Sequence, residues 1–174
     1  EQPAVVLAAL LGLLQLGKTP GTHVLRRLVD DALTAPPALR LLGRAGEATF
    51  LADAIVQMTA SRQRAAVLGL AEALDPQGPV AARPPARLKG PDVVAALRGL
   101  VESADVMVAC AALVVAAHAG DVQAVVQAAA RDDRAHLASA AHRAVAVLEP
   151  QMPQLPETLR MLVADDAPGA DLVL

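Results

Sequence analysis

A segment near the start of the chain has the residue spacing of a phosphate-binding loop. It runs from Gly12 to Thr19, with a second glycine at Gly17 followed by Lys18. Such loops surround a phosphate with backbone amides, and they need small residues between the glycines, a strand before the loop and a helix directly after it. Here the interior is Leu-Leu-Gln-Leu, helix-forming residues come before it, and Pro20 interrupts any helix after it. We therefore predict no nucleotide site and no bound cofactor.

Histidines beside carboxylates at helical spacing could bind a metal ion. Asp132 and His136 have the i, i+4 spacing, but His136 and His142 are six residues apart and point in different directions on a helix. An aspartate at a helix start beside a surface histidine accounts for this pattern without a metal. We predict no metal site.

Paired aspartates and a single thiol are the remaining groups that could do chemistry. The pair at 132–133 fits a helix start, and the pair at 30–31 is typical of a solvated face. Cys110 lies in an apolar run without a charge that would stabilise a thiolate, which favours an inert buried thiol. No catalytic group emerges, so we predict that the protein is not an enzyme.

The composition favours an all-helical chain. Of the 174 residues, 55% are hydrophobic, but Phe50 is the sole aromatic residue. The core must therefore consist of Leu, Val and Ala, of which Ala and Leu are strong helix formers. The lack of aromatic residues argues against proteins that stack single-stranded nucleic acid and against aromatic-walled ligand pockets.

Charge and cysteine content restrict the partners and the compartment. The net charge is −3, which gives no reason to expect nucleic acid or an anionic membrane as partner. A single cysteine favours a reducing, cytoplasmic location. The uncharged stretches at 3–17 and 106–120 are shorter than the roughly 18 to 20 residues of a membrane-spanning helix, so we predict no integral membrane span.

Apolar residues at helical spacing, bounded by Gly and Pro, predict the helices. We expect them at 3–16, 22–33, 38–43, 47–58, 62–74, 91–103, 106–117, 121–130 and from 132 or 133 to 148, with a short one beginning at Pro156. Thr22, Ser61 and Asp105 are the expected N-caps of three of them.

The two halves of the chain resemble each other. The matching stretches are 25–32 with 97–104, 45–47 with 119–121, and 74–76 with 148–150. The offset is 72 residues for the first match and 74 for the other two, which one short insertion accommodates. Internal repetition of this kind indicates a repeat architecture.

The predicted fold is all-α, with two pseudo-repeated helical halves arranged as a HEAT-like helical-hairpin stack or as a closed helical bundle. The N-terminal half spans 1–76, a Pro-rich connector spans 77–91, and the C-terminal half spans 92–174 and packs on the first. The five prolines between 75 and 91 exclude a continuous helix there.

The function predicted from these features is a non-enzymatic protein–protein interaction or scaffolding domain. The mean hydropathy of +0.43 is high for a free-standing domain, and the first helix is apolar at nearly every position, so it must be surrounded by its own domain or a partner. We expect a protein partner, or self-association as an oligomer. The candidate partner-binding residues are Leu7, Leu10, Leu11 and Leu14 of the first helix and a basic ridge containing Arg131, Arg134 and Arg143.

Two other functions fit the sequence. The first is a small-ligand-binding regulator or enzyme with a cavity between the two halves, where His118 and Arg98 would supply polar groups. The second is a membrane-active protein whose apolar helices are released by a trigger.

Overall fold

The computed structural model of the chain describes residues 3–18, 21–131 and 134–152, and their all-helical class confirms the prediction. These residues contain no strand. The helices are α1 (Pro3–Gln15), α2 (Thr22–Leu28), α3 (Ala35–Arg44), α4 (Ala48–Gln57), α5 (Ala60–Leu74), a 3-10 helix (Ala86–Lys89), α6 (Pro91–Val101), α7 (Val106–His118), α8 (Val122–Ala129) and α9 (Ala135–Leu148). The helix predicted from Pro156 lies outside the described residues.

The chain divides into two compact units, Glu1–Ala96 and Leu97–Leu174, with the division inside α6. The Pro-rich stretch before α6 is attached to the first unit. Leu88 is fully buried there, and the backbone N–H of Ala82 donates to the carbonyl of Ala73 at 2.8 Å. None of the described helices has both the length and the apolar character required to cross a bilayer.

The first unit is built around a close crossing of α3 and α5. A Cβ atom on Gly43 would collide with the carbonyl of Gly69, and one on Gly69 would collide with the carbonyl of Leu39. Two glycines at the crossing therefore let the backbones approach. Large aliphatic side chains surround it, and those that are fully buried include Leu25, Leu39, Leu41, Leu42, Leu51, Ile55 and Leu70.

The second unit packs α7 against α9, with α8 against both. Its largest fully buried side chains are Leu97, Leu113, Leu137 and Leu148, and alanines such as Ala112 and Ala144 fill most of the space between the helices. Burial of aliphatic surface is the main stabilising contribution to such a core.

Helices α3 and α7 each end in a turn of the same type. Gly46 and Gly120 have φ angles of 78° and 82°, a left-handed conformation that glycine adopts at little cost. The following acidic residue donates its backbone N–H to a carbonyl five residues earlier, from Glu47 to Leu42 and from Asp121 to Ala116, both at 3.0 Å. This is the Schellman geometry, and it places an acidic side chain directly before α4 and α8.

Side-chain caps agree with the predictions only in part. Asp105 caps α7 as expected, and its carboxylate accepts from the amides of Met107 and Val108. The N-caps of α2 and α5 are Gly21 and Thr59, without a side-chain hydrogen bond, so the predictions at Thr22 and Ser61 were wrong.

Asp31 is exposed, as the prediction of a solvated face expects, and it also holds the turn that follows α2. Its Oδ1 accepts from the amides of Leu33 and Thr34 at 3.0 and 3.1 Å, and the Thr34 hydroxyl donates to the carbonyl of Leu28 at 2.7 Å. Asp31 stabilises the turn between α2 and α3 because its short side chain reaches amides two and three residues ahead.

Candidate functional site

Helix α1 and the residue that directly follows it carry exposed aliphatic side chains. Val5 and Leu11 of α1 are 63% and 46% exposed, and Leu16, directly after the last residue of the helix, is 71% exposed. The exposed surface also includes Ala8 and Ala9, and the sequence contains no charged residue from Pro3 to Gly17. Within this chain, α1 packs against α3. The expectation that α1 must be surrounded by its own domain or by a partner is not met by the chain alone, and its partner alternative stays a prediction.

The four leucines predicted to bind a partner have different positions. Leu10 is 3% exposed and belongs to the core of the first unit, so it does not line an outer surface. Leu11 is exposed and Leu7 is half-buried. The side chain of Leu14 lies outside the part of the chain that the structure describes.

The basic ridge predicted from Arg131, Arg134 and Arg143 is largely committed to internal contacts. The Arg134 side chain is 14% exposed and donates to the backbone carbonyls of Val101 and Ser103 at the end of α6. The Arg131 guanidinium donates to the Glu102 carboxylate at 3.2 Å. Arg143 is exposed. Arg134 thus stabilises the second unit, since the carbonyls at a helix end lack partners within the helix.

An arginine–carboxylate pair in each unit joins an early helix, α2 or α6, to the Schellman turn that ends α3 or α7. In the second unit, Arg98 donates to Asp121 through Nε at 2.7 Å and through Nη2 at 2.8 Å. The Asp121 side chain is 4% exposed, and it also accepts from the amide of Ala124 at 3.2 Å. The Arg98 guanidinium lowers the pKa of Asp121, and Asp121 in turn raises the pKa of Arg98.

The corresponding contact of the first unit includes the only aromatic ring. Arg26 donates to Glu47, whose side chain is 23% exposed. The Arg26 guanidinium also lies over Phe50, 5.1 Å from the ring centroid, which is a cation–π distance. Sequence reasoning matched Arg26 with Arg98 and Glu47 with Asp121 as repeated residues but did not pair the arginine with the acid.

A cavity of about 360 Å³ opens in the second unit. Its walls are Arg98, Val101, Glu102, Ala124, Gln127, Ala128, Ala130, Arg131 and Leu137. Arg98 was predicted to line a cavity between the two halves, whereas the cavity that it lines here lies within the second unit. His118, its predicted companion, is not among the lining residues, and burial lowers the pKa of its imidazole.

The candidates for chemistry have ordinary structural roles where the structure describes them. Gly12 lies within α1, and the amides of Leu16 and Lys18 donate to the carbonyls of Gly12 and Leu13, both at 3.0 Å, rather than surrounding a phosphate. Thr19 and Asp132 lie outside the described residues. Within the described ranges, no three His, Cys, Asp or Glu residues are grouped for a metal ion.

Cys110 is half-buried, with its Sγ 3.5 Å from the carbonyl oxygen of His136. Burial raises the pKa of the thiol, and this effect outweighs the opposing influence of Arg143 and Arg134. The thiol form is therefore favoured, and it is a poor nucleophile.

No protein-family model, curated protein or solved structure matches the chain. Function must therefore be inferred from the geometry of the chain itself. Two surfaces stand out, the uncharged exposed side of α1 and the cavity beside Arg98.

Proposed function

We propose that this chain is a non-enzymatic protein–protein interaction domain, a scaffold or adaptor that binds a protein partner through the exposed side of α1. The observation that carries the proposal is the exposure of Val5 and Leu11 on a helix without charges and of Leu16 directly after it. Contact with an apolar surface of the partner would remove these side chains from water, which is favourable in proportion to the apolar area buried. A cytoplasmic location and the lack of a nucleic-acid partner belong to the same proposal.

The absence of charge on α1 gives the interaction a measurable signature. Ion pairs across an interface make association depend on ionic strength, whereas apolar contacts persist or strengthen in high salt. We expect partner binding through α1 to survive high salt. The opposite dependence would favour binding through exposed arginines such as Arg143.

The experiment compares two double variants of the chain. Leu11→Glu with Leu16→Glu places charges on the exposed side of α1. Leu33→Glu with Val80→Glu places the same charges on similarly exposed aliphatic positions elsewhere in the first unit. We expect the α1 variant to lose complexes seen by sedimentation velocity in the presence of co-purified partners, while the control keeps them. Complexes retained by the α1 variant would contradict the proposal, and a complex of this chain alone would identify the partner as a second copy.

We further propose that the two units are tandem copies of one helical repeat. Arg26 and Arg98 stand 72 residues apart, and the carboxylates they bind, Glu47 and Asp121, stand 74 apart. Helices α4 and α8 begin at the 74-residue offset, as do the glycines of the preceding turns. The HEAT-like stack and the closed bundle are both still predictions. An experimental structure in which α2–α5 fails to superpose on α6–α9 would contradict the repeat.

A further inference from the structure

Phe50 occupies a defined place in the first unit. It is the third residue of α4, and its half-buried ring lies beneath the guanidinium of Arg26. Arg26 donates to Glu47 at the same time. The N–H group that donates lies in the plane of the guanidinium, so its flat face is available to the ring.

Ala124 occupies the same place in the second unit. It is the third residue of α8, and Arg98 donates to Asp121 as Arg26 donates to Glu47. A methyl group at Ala124 cannot fill the space that a phenyl ring fills in the first unit. The 360 Å³ cavity lies here, with Ala124, Ala128 and Arg98 among its walls.

We propose that this cavity is a binding site for an aromatic side chain supplied by a protein partner, with the ring placed against Ala124 and Ala128 and beneath Arg98. Phe50 is the only aromatic residue of the sequence and already lies beneath Arg26, so we assign the ring to a partner protein. Phe50 beneath Arg26 serves as the internal example of the bound state.

The size and chemistry of the walls fit a ring. At about 360 Å³, the cavity has room for a phenyl ring, and it is open to solvent so that a ring can enter from outside. Val101, Ala128 and Leu137 provide apolar walls, and Arg98 provides a cation whose attraction to a ring increases as water is excluded.

This site goes beyond the α1 surface and does not depend on it. Its charged groups are already paired, because Arg98 binds Asp121 and Glu102 binds Arg131. A ring adds to these pairs without breaking them, whereas an anionic ligand would have to compete with Asp121 and Glu102. The geometry therefore favours a neutral aromatic group over a phosphate or a carboxylate.

The test uses N-acetylphenylalaninamide as the probe and the alanine methyl resonances of the whole chain as the readout. We expect the probe to shift the Ala124 and Ala128 methyl signals in a saturable manner. N-acetylalaninamide, which has the same backbone without the ring, serves as the matched control and should leave them in place. Equal shifts with both probes, or no shift with either, would overturn the proposal.

Two variants fill the cavity from within. Ala124→Phe supplies the missing ring from the chain itself, and Ala128→Leu enlarges the same wall one helical turn further along α8. Each should weaken probe binding by about tenfold or more, corresponding to loss of roughly 1.4 kcal/mol of binding free energy. If one variant does not fold, the other decides. Unchanged affinity in a folded variant would overturn the site.

Discussion

Each of the two arginine–carboxylate pairs joins a helix to the turn before a later helix, α2 to the turn before α4 and α6 to the turn before α8. The carboxylates of the two pairs are buried to different extents. Glu47 in the first unit has a side chain 23% exposed, and its partner Arg26 also covers Phe50. Asp121 in the second unit is 4% exposed and caps the amide of Ala124 as well. In the first unit the arginine of the pair also contacts an aromatic ring, whereas in the second unit the pair contains a buried carboxylate.

The close crossing in the first unit should give the largest effect of a single substitution. Gly69→Ala would force α5 away from the carbonyl of Leu39, because the collision involves backbone that cannot move aside. We expect a loss of about 3 kcal/mol of unfolding free energy, confined to the first unit. Hydrogen exchange measured by mass spectrometry reports each unit separately. The matched control is Gly99→Ala, where an added Cβ meets open space and should not destabilise the protein. Equal exchange in both variants would disprove the tight crossing.

Removal of the aromatic ring should have the next largest effect. Phe50→Ala deletes a half-buried side chain and its contact with Arg26, which should cost about 2 kcal/mol. If the two units correspond as we propose, the variant also opens a second site, and N-acetylphenylalaninamide should then shift methyl signals beside α4 as well as beside α8. A stable variant without this second set of shifts would argue against the correspondence while leaving the site beside Ala124 intact.

The two carboxylates should respond unequally to neutralisation. Asp121→Asn removes a buried charge-assisted pair and weakens a helix cap, at a cost of about 1.5 kcal/mol. Glu47→Gln removes a more exposed pair, for which about 0.5 kcal/mol is expected. Denaturant unfolding of the two variants provides the measurement. The reverse order would show that burial of Asp121 does not determine the contribution of the pair.

Acid should weaken the second unit through the same carboxylate. The folded pKa of Asp121 is lowered, so its contribution to stability is complete above the unfolded value of about 3.9 and is lost as pH falls through the folded pKa. The protection factors of α8 amides, which compare observed exchange with the intrinsic rate at each pH, should therefore fall below about pH 4, and Asp121→Asn should reduce this dependence. In the first unit, Arg87 lowers the pKa of Asp92, which lies at the start of α6. The acid dependence of hydrogen exchange there can be compared with that of α8 in the same sample.

The fold class and most helix positions could be predicted from the sequence because alanine and leucine define the helices and Pro and Gly end them. The sequence does not show which side of α1 is covered, since every side of that helix is apolar. Only the packing distinguishes buried Leu10 from exposed Leu11.

The contacts that sequence reasoning missed join residues far apart in the chain. Arg26 and Glu47 are separated by 21 positions, and Arg98 and Asp121 by 23. No local rule pairs them, although the recurrence of both an arginine and an acid in the two halves was a usable signal. The internal contacts of Arg134 were missed for a similar reason. Its partners are the backbone carbonyls at the end of α6 and the Glu102 carboxylate, all about 30 positions earlier in the chain.

Site-specific photo-crosslinking tests directly whether a partner protein binds to α1. A photoreactive amino acid would replace Leu11 on α1 or Leu16 directly after it. The control replaces Leu33, which is similarly exposed elsewhere in the first unit. We predict that irradiation of cells expressing the full chain joins a protein to the α1 positions, that the product survives washing in high salt, and that Leu33 yields none. Equal products at all three positions, or products at Leu33 alone, would contradict the account.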